Sequence, residues 1–232
     1  MENRKKMNNL TSIGIIPDGN RRYGRKKSMD LHKTYQYATD IGIPIIKHIY
    51  KKYPSVKQIQ LYALSKENLK RSKEEVSELF NLFKTNIPLL KEKVKEYDIN
   101  FKFIGNFKFF PPTLKKIIKE NSDFKKNARL TIYFCLGYSG RQEIIDGINK
   151  IIKSGKKQIT EKTFRNYLYD PQLIDPEIII RTSGEKRLSG FLTYESVYSE
   201  LFFIKKYWPE IKPKDIDKII QEYQNIGRRF GK

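Results

Sequence analysis

Short apolar runs recur along this chain, and each ends in a polar loop. They read as strands over Ser12–Pro17, 58–63, 100–104, 130–136, 177–181 and 201–204. Between them lie longer stretches with helical spacing. From about Leu31 to Tyr53, Ile41, Ile45 and Ile49 recur every fourth residue and, with Ile46, make an apolar face. Gly42 and Pro44 inside it predict a kink or a break. A helix capped by Ser72, with Glu75 at capping-box spacing, is expected to reach about Tyr97 and to kink at Pro88. Further helices are expected from Pro112, Gly140, Thr160 and Lys212, the last to about Arg229. Strands that alternate with helices pair in parallel, because each crossover returns the chain to the same edge of the sheet. The fold class expected is therefore α/β: a single domain with a mostly parallel six-stranded sheet flanked by helices. Residues 12–232 form that domain, and 1–11 are expected to be a disordered or loosely packed segment.

Two of the polar loops have the composition of an anion site. Arg181-Thr-Ser-Gly-Glu-Lys-Arg-Leu-Ser-Gly-Phe191 follows the apolar run Ile178–Ile180. Guanidinium forks and hydroxyls can surround phosphate oxygens, and glycine lets the backbone approach them. Asp18-Gly19-Asn20-Arg21-Arg22 follows the first strand. Each cluster alone is compatible with an ordinary polar turn. Two of them, both beyond the carboxyl ends of strands, suggest one site with two phosphate pockets and a metal.

The net charge of +21 points the same way, toward polyanionic partners: nucleic acid, an anionic membrane surface or phosphorylated substrates. The lysines are spread along the chain, so a solvated surface explains them as well. The one cysteine, Cys135, excludes a disulfide framework and reads as core packing. Met1 to Leu10 lacks an apolar core, and no run approaches the ~18 apolar residues of a membrane span. A cytoplasmic protein able to lie on a membrane surface is expected.

Several dispersed motifs occur in the order found in cis-prenyltransferases, the undecaprenyl and dehydrodolichyl diphosphate synthases. They are Pro17 to Tyr23, Ser65-Lys-Glu-Asn-Leu-Lys-Arg71 with Glu75, Gly137 to Glu143, Arg181 to Phe191, Tyr198-Ser-Glu200 and Trp208-Pro209. The chain resembles that family from about Ile13 to Gly231. The resemblance implies the family fold and a Mg²⁺-dependent condensation of isopentenyl diphosphate with an allylic prenyl diphosphate, giving a Z-configured polyprenyl diphosphate. It implies that Asp18 is catalytic and holds Mg²⁺ together with Glu200. Gly19, Asn20, Arg21 and Arg22 would bind the allylic diphosphate, Asn20 also reaching the departing oxygen. Arg181, Arg187 and Ser189 would bind isopentenyl diphosphate. Arg229 and Gly231 would complete a neighbour's site in a homodimer. Ser65, Asn68 and Arg71 would form a loop over both substrates, with Asn68 a candidate for removing or orienting the proton. His32 would contact a phosphate or cap its helix, and Tyr23 would line the tunnel. The helix after Ser72 and the fourth strand, with Leu130, would also line it.

The chain departs from the family between Tyr23 and His32, where relatives have about three more residues, including an arginine a few places before the histidine. Lys26 and Lys27 are the cations nearest that place, but neither has a guanidinium fork. Two other readings stay open at this level. One is short-chain or irregular coupling on the same fold. The other is a non-enzymatic basic protein on a membrane or on nucleic acid, although the resemblance makes nucleic acid an unexpected partner.

Overall fold

The structure, a computed structural model, describes residues 9–123, 125 and 127–227. Six strands form one sheet: β1 (Ser12–Ile16), β2 (Gln58–Ser65), β3 (Ile99–Ile104), β4 (Leu130–Tyr138), β5 (Ile178–Arg181) and β6 (Glu200–Phe203). Every pairing is parallel, and the order is β3-β4-β2-β1-β5-β6. The chain begins in the middle of the sheet, builds one side through β2 to β4, then crosses β1 to build the other. The direction of winding reverses between β1 and β5, which opens a crevice beyond their carboxyl ends.

The helices are α1 (Asn20–Lys26), α2 (Leu31–Lys52), α3 (Lys73–Lys93), α4 (Pro112–Asn121), α5 (Gly140–Lys153), α6 (Glu161–Phe164) and α7 (Pro213–Asn225). Side chains alternate between two packed layers, as the period of a strand requires. Ile13, Ile15, Ile132, Phe134, Ile178 and Ile180 face a large core under α2, α3, α4 and α7. Ile16, Tyr133, Cys135 and Ile179 face a smaller one. Cys135 is a buried free thiol, as expected of core packing. On α7, Asp217 ties that helix to α2 by accepting from Lys52 Nζ at 2.8 Å and Tyr53 Oη at 2.5 Å and lying 2.7 Å from His48 Nε2.

Neither internal proline breaks its helix: α2 and α3 run through Pro44 and Pro88. An interior proline costs about 3 kcal/mol. Around Pro44 the side chains of Ile45, Ile46 and Ile49 are at most 3% exposed. Burying each contributes roughly 1.5–3 kcal/mol, so packing outweighs the break that local propensity predicts. α3 ends at Lys93, short of the expected Tyr97, and α7 at Asn225, short of Arg229. The N-terminal segment also departs from expectation at its end. Leu10 is buried, and Thr11 accepts from Lys57 N at 2.7 Å and donates to Glu177 Oε1 at 2.6 Å.

The smaller core holds two buried carboxyls. Glu143 accepts from Tyr138 Oη and, at 2.9 Å, from Tyr169 N. Glu195 is 4% exposed, and its Oε2 has no partner among the described residues. Burial, reinforced by the charge of Glu143, pushes the Glu195 carboxyl up to about 8. As pH rises from 4.5, the unfolded chain releases this proton while the folded protein keeps it. Stability should therefore fall between about pH 4.5 and pH 8. Glu195→Gln should reduce that fall, the buried Glu143 carboxyl, also raised by burial, supplying the rest. Denaturant titrations at pH 5 and pH 9 should show the variant stabilised only at the higher pH; equal shifts at both would refute the assignment.

Candidate functional site

The crevice is closed at its base by one ion pair. In the β1–β5 register Ile16 stands beside Arg181, which brings Asp18 and the Arg181 guanidinium together. Arg181 Nη2 donates to Asp18 Oδ2 at 2.8 Å, and Gly19 N donates to Oδ1 at 2.6 Å. Thr182 clamps the same turn from both sides: its Oγ1 accepts from Asp18 N at 2.8 Å and donates to Asp18 O at 2.7 Å. Burial alone would raise the Asp18 carboxyl, but the bond from Arg181, the Gly19 amide and the charge of Arg22 outweigh it and hold it below the usual range. Asp18 is therefore an anion at neutral pH, inside a cationic cleft.

Arg181 is 4% exposed, and its Nη1 donates to Ser189 Oγ at 2.8 Å and to the Arg187 carbonyl. Its Nε is buried without a partner among the described residues. The guanidinium thus holds both ends of the anion-type loop while keeping donor capacity. Arg187 is exposed and reaches Glu185 at 2.5 Å.

α1 starts directly after Gly19 and delivers its arginines to the cleft. Arg22 bonds Ser183 Oγ at 2.6 Å and Glu185 at 3.1 Å, and its guanidinium lies over the Tyr207 ring. Arg21 meets Glu75 at 3.3 Å. Asn20 donates from Nδ2 to Pro17 O at 2.9 Å, and its Oδ1 is buried with no donor among the described residues. The unsatisfied atom is thus an acceptor, suited to a cation. Opposite, Ser65 and Asn68 cap each other: Asn68 N donates to Ser65 Oγ, and Ser65 N to Asn68 Oδ1 at 3.1 Å. Arg71 bonds the Tyr35 hydroxyl at 3.0 Å and Glu75 at 2.7 Å.

These loops enclose a cavity of about 790 Å³. Among the described residues seven arginines line it, Arg21, Arg22, Arg25, Arg71, Arg141, Arg181 and Arg187, against two carboxylates, Asp18 and Glu67. Such a chamber suits a polyanion. A second, apolar cavity of about 160 Å³ lies between α2, α3 and the sheet. The two share Pro17, Asn20, Tyr35, Ala63 and Leu79, so the charged chamber gives onto an apolar channel.

Some expected residues stand elsewhere. Glu200 opens β6 in register with Ile178, which is in register with Ile13. It therefore lies at the amino end of the sheet, roughly 15 Å of strand from Asp18, and cannot share an ion with it within one protomer. A parallel register allows nothing else. His32 is exposed and 2.6 Å from Glu78, while Asp30 caps α2. Tyr23 stacks on Tyr37 with centroids 5.8 Å apart and lines neither cavity. Phe134 and Leu136 supply the β4 wall of the channel, and Leu130 lies in the core outside it. Arg229 and Gly231 fall outside the described residues.

Other residues were missed. Lys26 turns to Glu210 at 3.9 Å, and the extra cleft arginine is Arg25. Its spacing of three and four from Arg22 and Arg21 on a helix signals a shared face. Arg141 could have been read from its place just beyond the fourth strand. Thr182 carried no signal of its own. Among the described residues no cluster of three or more metal-type side chains occurs.

Comparison with known proteins adds a lineage to this geometry. The family described as "Putative undecaprenyl diphosphate synthase" matches residues 16–231. A tritrans,polycis-undecaprenyl-diphosphate synthase (geranylgeranyl-diphosphate specific) of Thermoplasma volcanium is 41% identical over 241 residues, covering 100% of this chain and 93% of that protein. An isoprenyl transferase of Fusobacterium nucleatum is 37% identical, covering 94% of each. Among solved structures, lavandulyl diphosphate synthase from Lavandula x intermedia, in complex with dimethylallyl diphosphate, superposes with a TM-score of 0.90. It is 24% identical over 97% of this chain and 99% of that one.

Gly19 gives the sharpest test of the site's geometry. Its φ is 95°, and a Cβ there would stand 2.6 Å from the Tyr207 ring and 2.8 Å from Ser183 Cβ. Gly19→Ala must displace the Asp18 turn. A misplacement of about 1 Å costs on the order of a hundred-fold in rate. Turnover should fall by about that factor in a variant with an unchanged circular dichroism spectrum; near-normal turnover would show that the turn is not under this constraint.

Proposed function

This chain belongs to the undecaprenyl diphosphate synthase family of prenyltransferases, and we propose that it condenses isopentenyl diphosphate with an allylic prenyl diphosphate. The product is a Z-configured polyprenyl diphosphate, a lipid-carrier precursor. One observation carries this reading: a chamber lined by seven arginines gives onto an apolar channel, matching a substrate with a diphosphate head and a hydrocarbon tail.

The division of labour follows from position. Gly19, Arg21, Arg22 and Arg25 line the chamber next in sequence to Asn20, which lines the channel as well, and would hold the allylic diphosphate with its tail directed inward. Arg181, Arg187 and Ser189 would hold the diphosphate of isopentenyl diphosphate across the cleft. The allylic C1–O bond breaks and pyrophosphate leaves. The double bond of isopentenyl diphosphate bonds to C1, and a proton is lost from the adjacent carbon. Fixed guanidinium groups stabilise the leaving pyrophosphate without reorganising. Asn68, whose Oδ1 is committed to Ser65 N, would orient the loop beside the departing proton rather than accept that proton.

The residues present fit Mg²⁺. Asp18 is anionic, its carboxylate keeps lone pairs beyond its two short bonds, and Asn20, two residues on, has an Oδ1 buried without a donor among the described residues. One or two protein oxygens with substrate phosphate suffice for this ion. When bound, it would neutralise charge on the diphosphate.

Assembly and location follow from the same reading. A homodimer in which Arg229 and Gly231 reach a neighbouring cleft is supported by exposed apolar side chains beside and on the edge strand β6, Val197 and Leu201. Sedimentation showing a fully active monomer would refute it. Among the described residues no helix is long and apolar enough to cross a membrane. A cytoplasmic enzyme touching an anionic leaflet through its excess cations would release a long tail there.

The test is direct. Purified protein with radiolabelled isopentenyl diphosphate, Mg²⁺ and either farnesyl or geranylgeranyl diphosphate should form butanol-extractable product, and chelation should stop it. The mass of the dephosphorylated product separates regular elongation from irregular coupling. Asp18→Ala should lower turnover about 10³-fold, the scale of a strong electrostatic contributor. It should fold normally; near-normal turnover in that variant would refute the role of Asp18.

A further inference from the structure

A turn at the cleft end of the sheet holds one aromatic ring out in water. The loop after β3 is Gly105-Asn-Phe-Lys-Phe-Phe-Pro111. Phe110 N donates to Phe107 O at 3.0 Å, which closes the turn, and Lys108 N donates to Asn106 Oδ1 at 3.0 Å. Both ends of the turn are packed. The ring of Phe110 is buried, 5.3 Å from that of Phe107 and 5.0 Å from that of Phe80 on α3. Lys108 and Phe109 at the tip are therefore left pointing outward, and Phe109 is 71% exposed. Turn tips favour glycine, asparagine, aspartate and serine. A bulky apolar ring there is not explained by the turn.

The surroundings of that ring are cationic. Lys108 Nζ stands 5.9 Å from the Phe109 centroid. Lys115, on the first turn of α4, reaches back with its Nζ to Lys108 O at 3.1 Å. Neither ammonium has a carboxylate partner among the described residues. Leu114 and Ile118 face the core, so the exposed side of α4 carries Lys115, Lys116 and Lys119 against one carboxylate, Glu120. An exposed ring among unneutralised cations has the chemistry of an anionic bilayer contact: lysines meet the headgroups, and the ring enters the acyl boundary. All six strands are parallel, so this loop and the chamber loops lie at one end of the sheet. Phe80, on which Phe110 packs, adjoins Leu79, which lines both chamber and channel.

We propose that Phe109, Lys108 and the lysine side of α4 form the surface by which this protein docks on an anionic bilayer, with Phe109 inserted as a wedge. The proposal gives the leaflet contact described above a definite place, and its effect on turnover rests on the long-tailed product of that reading. Docking there turns the cleft end of the sheet toward lipid, which shortens the path of a tail from the channel to acyl chains.

The experiment reads insertion directly. Phe109→Trp and Ile152→Trp each place an indole at an exposed apolar position, Ile152 on α5 being 70% exposed. Trp208, the only native tryptophan, is buried. With vesicles of phosphatidylglycerol and phosphatidylcholine carrying brominated acyl chains, emission should be quenched in Phe109→Trp and not in Ile152→Trp, and less so at high salt. Phe109→Ser should lower vesicle partitioning about ten-fold, the scale of one apolar side chain returned to water. With geranylgeranyl diphosphate as starter, vesicles should stimulate the wild type but not Phe109→Ser, while turnover in detergent is the same for both. Equal quenching at both positions, no quenching in Phe109→Trp, or wild-type partitioning by Phe109→Ser overturns the proposal. Absence of condensation by the wild type in detergent would instead sink the enzymatic reading, and quenching and partitioning would still decide this surface.

Discussion

The contact between Asp18 and Arg181 is the constraint on which the rest of the site depends. It joins residues 163 positions apart, at the carboxyl ends of adjacent parallel strands. A guanidinium only 4% exposed is costly to desolvate unless it is paired and its other donors are used. Here the pairing is supplied by Asp18, and further bonds by Ser189 and the Arg187 carbonyl. The pair therefore positions both ends of the loop from Arg181 to Ser189. It also fixes the turn from which α1 begins. Three cleft arginines, Arg21, Arg22 and Arg25, take their places from that turn.

The two halves of the substrate space arise from different physics. The charged chamber collects loops beyond the carboxyl ends of β1, β2, β4 and β5, where backbone and polar side chains are free of the ladder. Parallel pairing puts all those ends on one side, so their charges accumulate in one place. The channel instead runs down the packed layer between α2, α3 and the sheet, where the helical period brings apolar side chains to one face. Asn20, Tyr35 and Leu79 belong to both regions, so a ligand with a charged head and an apolar tail has a single orientation available.

The strands were legible in the chain because a sheet buried on both sides demands near-continuous apolar runs, and six such runs are present within a residue or two of their observed ends. Asp18, Arg181 and Ser189 were legible because polar clusters directly after such runs lie at a predictable edge. Side-chain direction was not. Tyr23 turns toward Tyr37 and His32 toward Glu78, while Arg25 faces the cleft, because the azimuth of α1 and α2 is set by what they pack against. Glu200 shows the same limit in the sheet. Its nearness to the Arg181 loop in sequence says nothing about which end of β6 it occupies. Only the register with Ile178 places it away from Asp18.

What the sequence by itself determined is the alternation of strands and helices, hence a parallel α/β sheet, and an arginine-rich pair of loops suited to phosphate. Its motifs also determined the family, since their order is a property of the chain and needs no coordinates. The tertiary structure alone decided the strand order that brings β1 beside β5 and the unbroken course of α2 and α3 through their prolines. These are set by many weak, long-range contacts acting together. Local propensity, worth a few kilocalories at most, yields to them wherever several buried side chains oppose it.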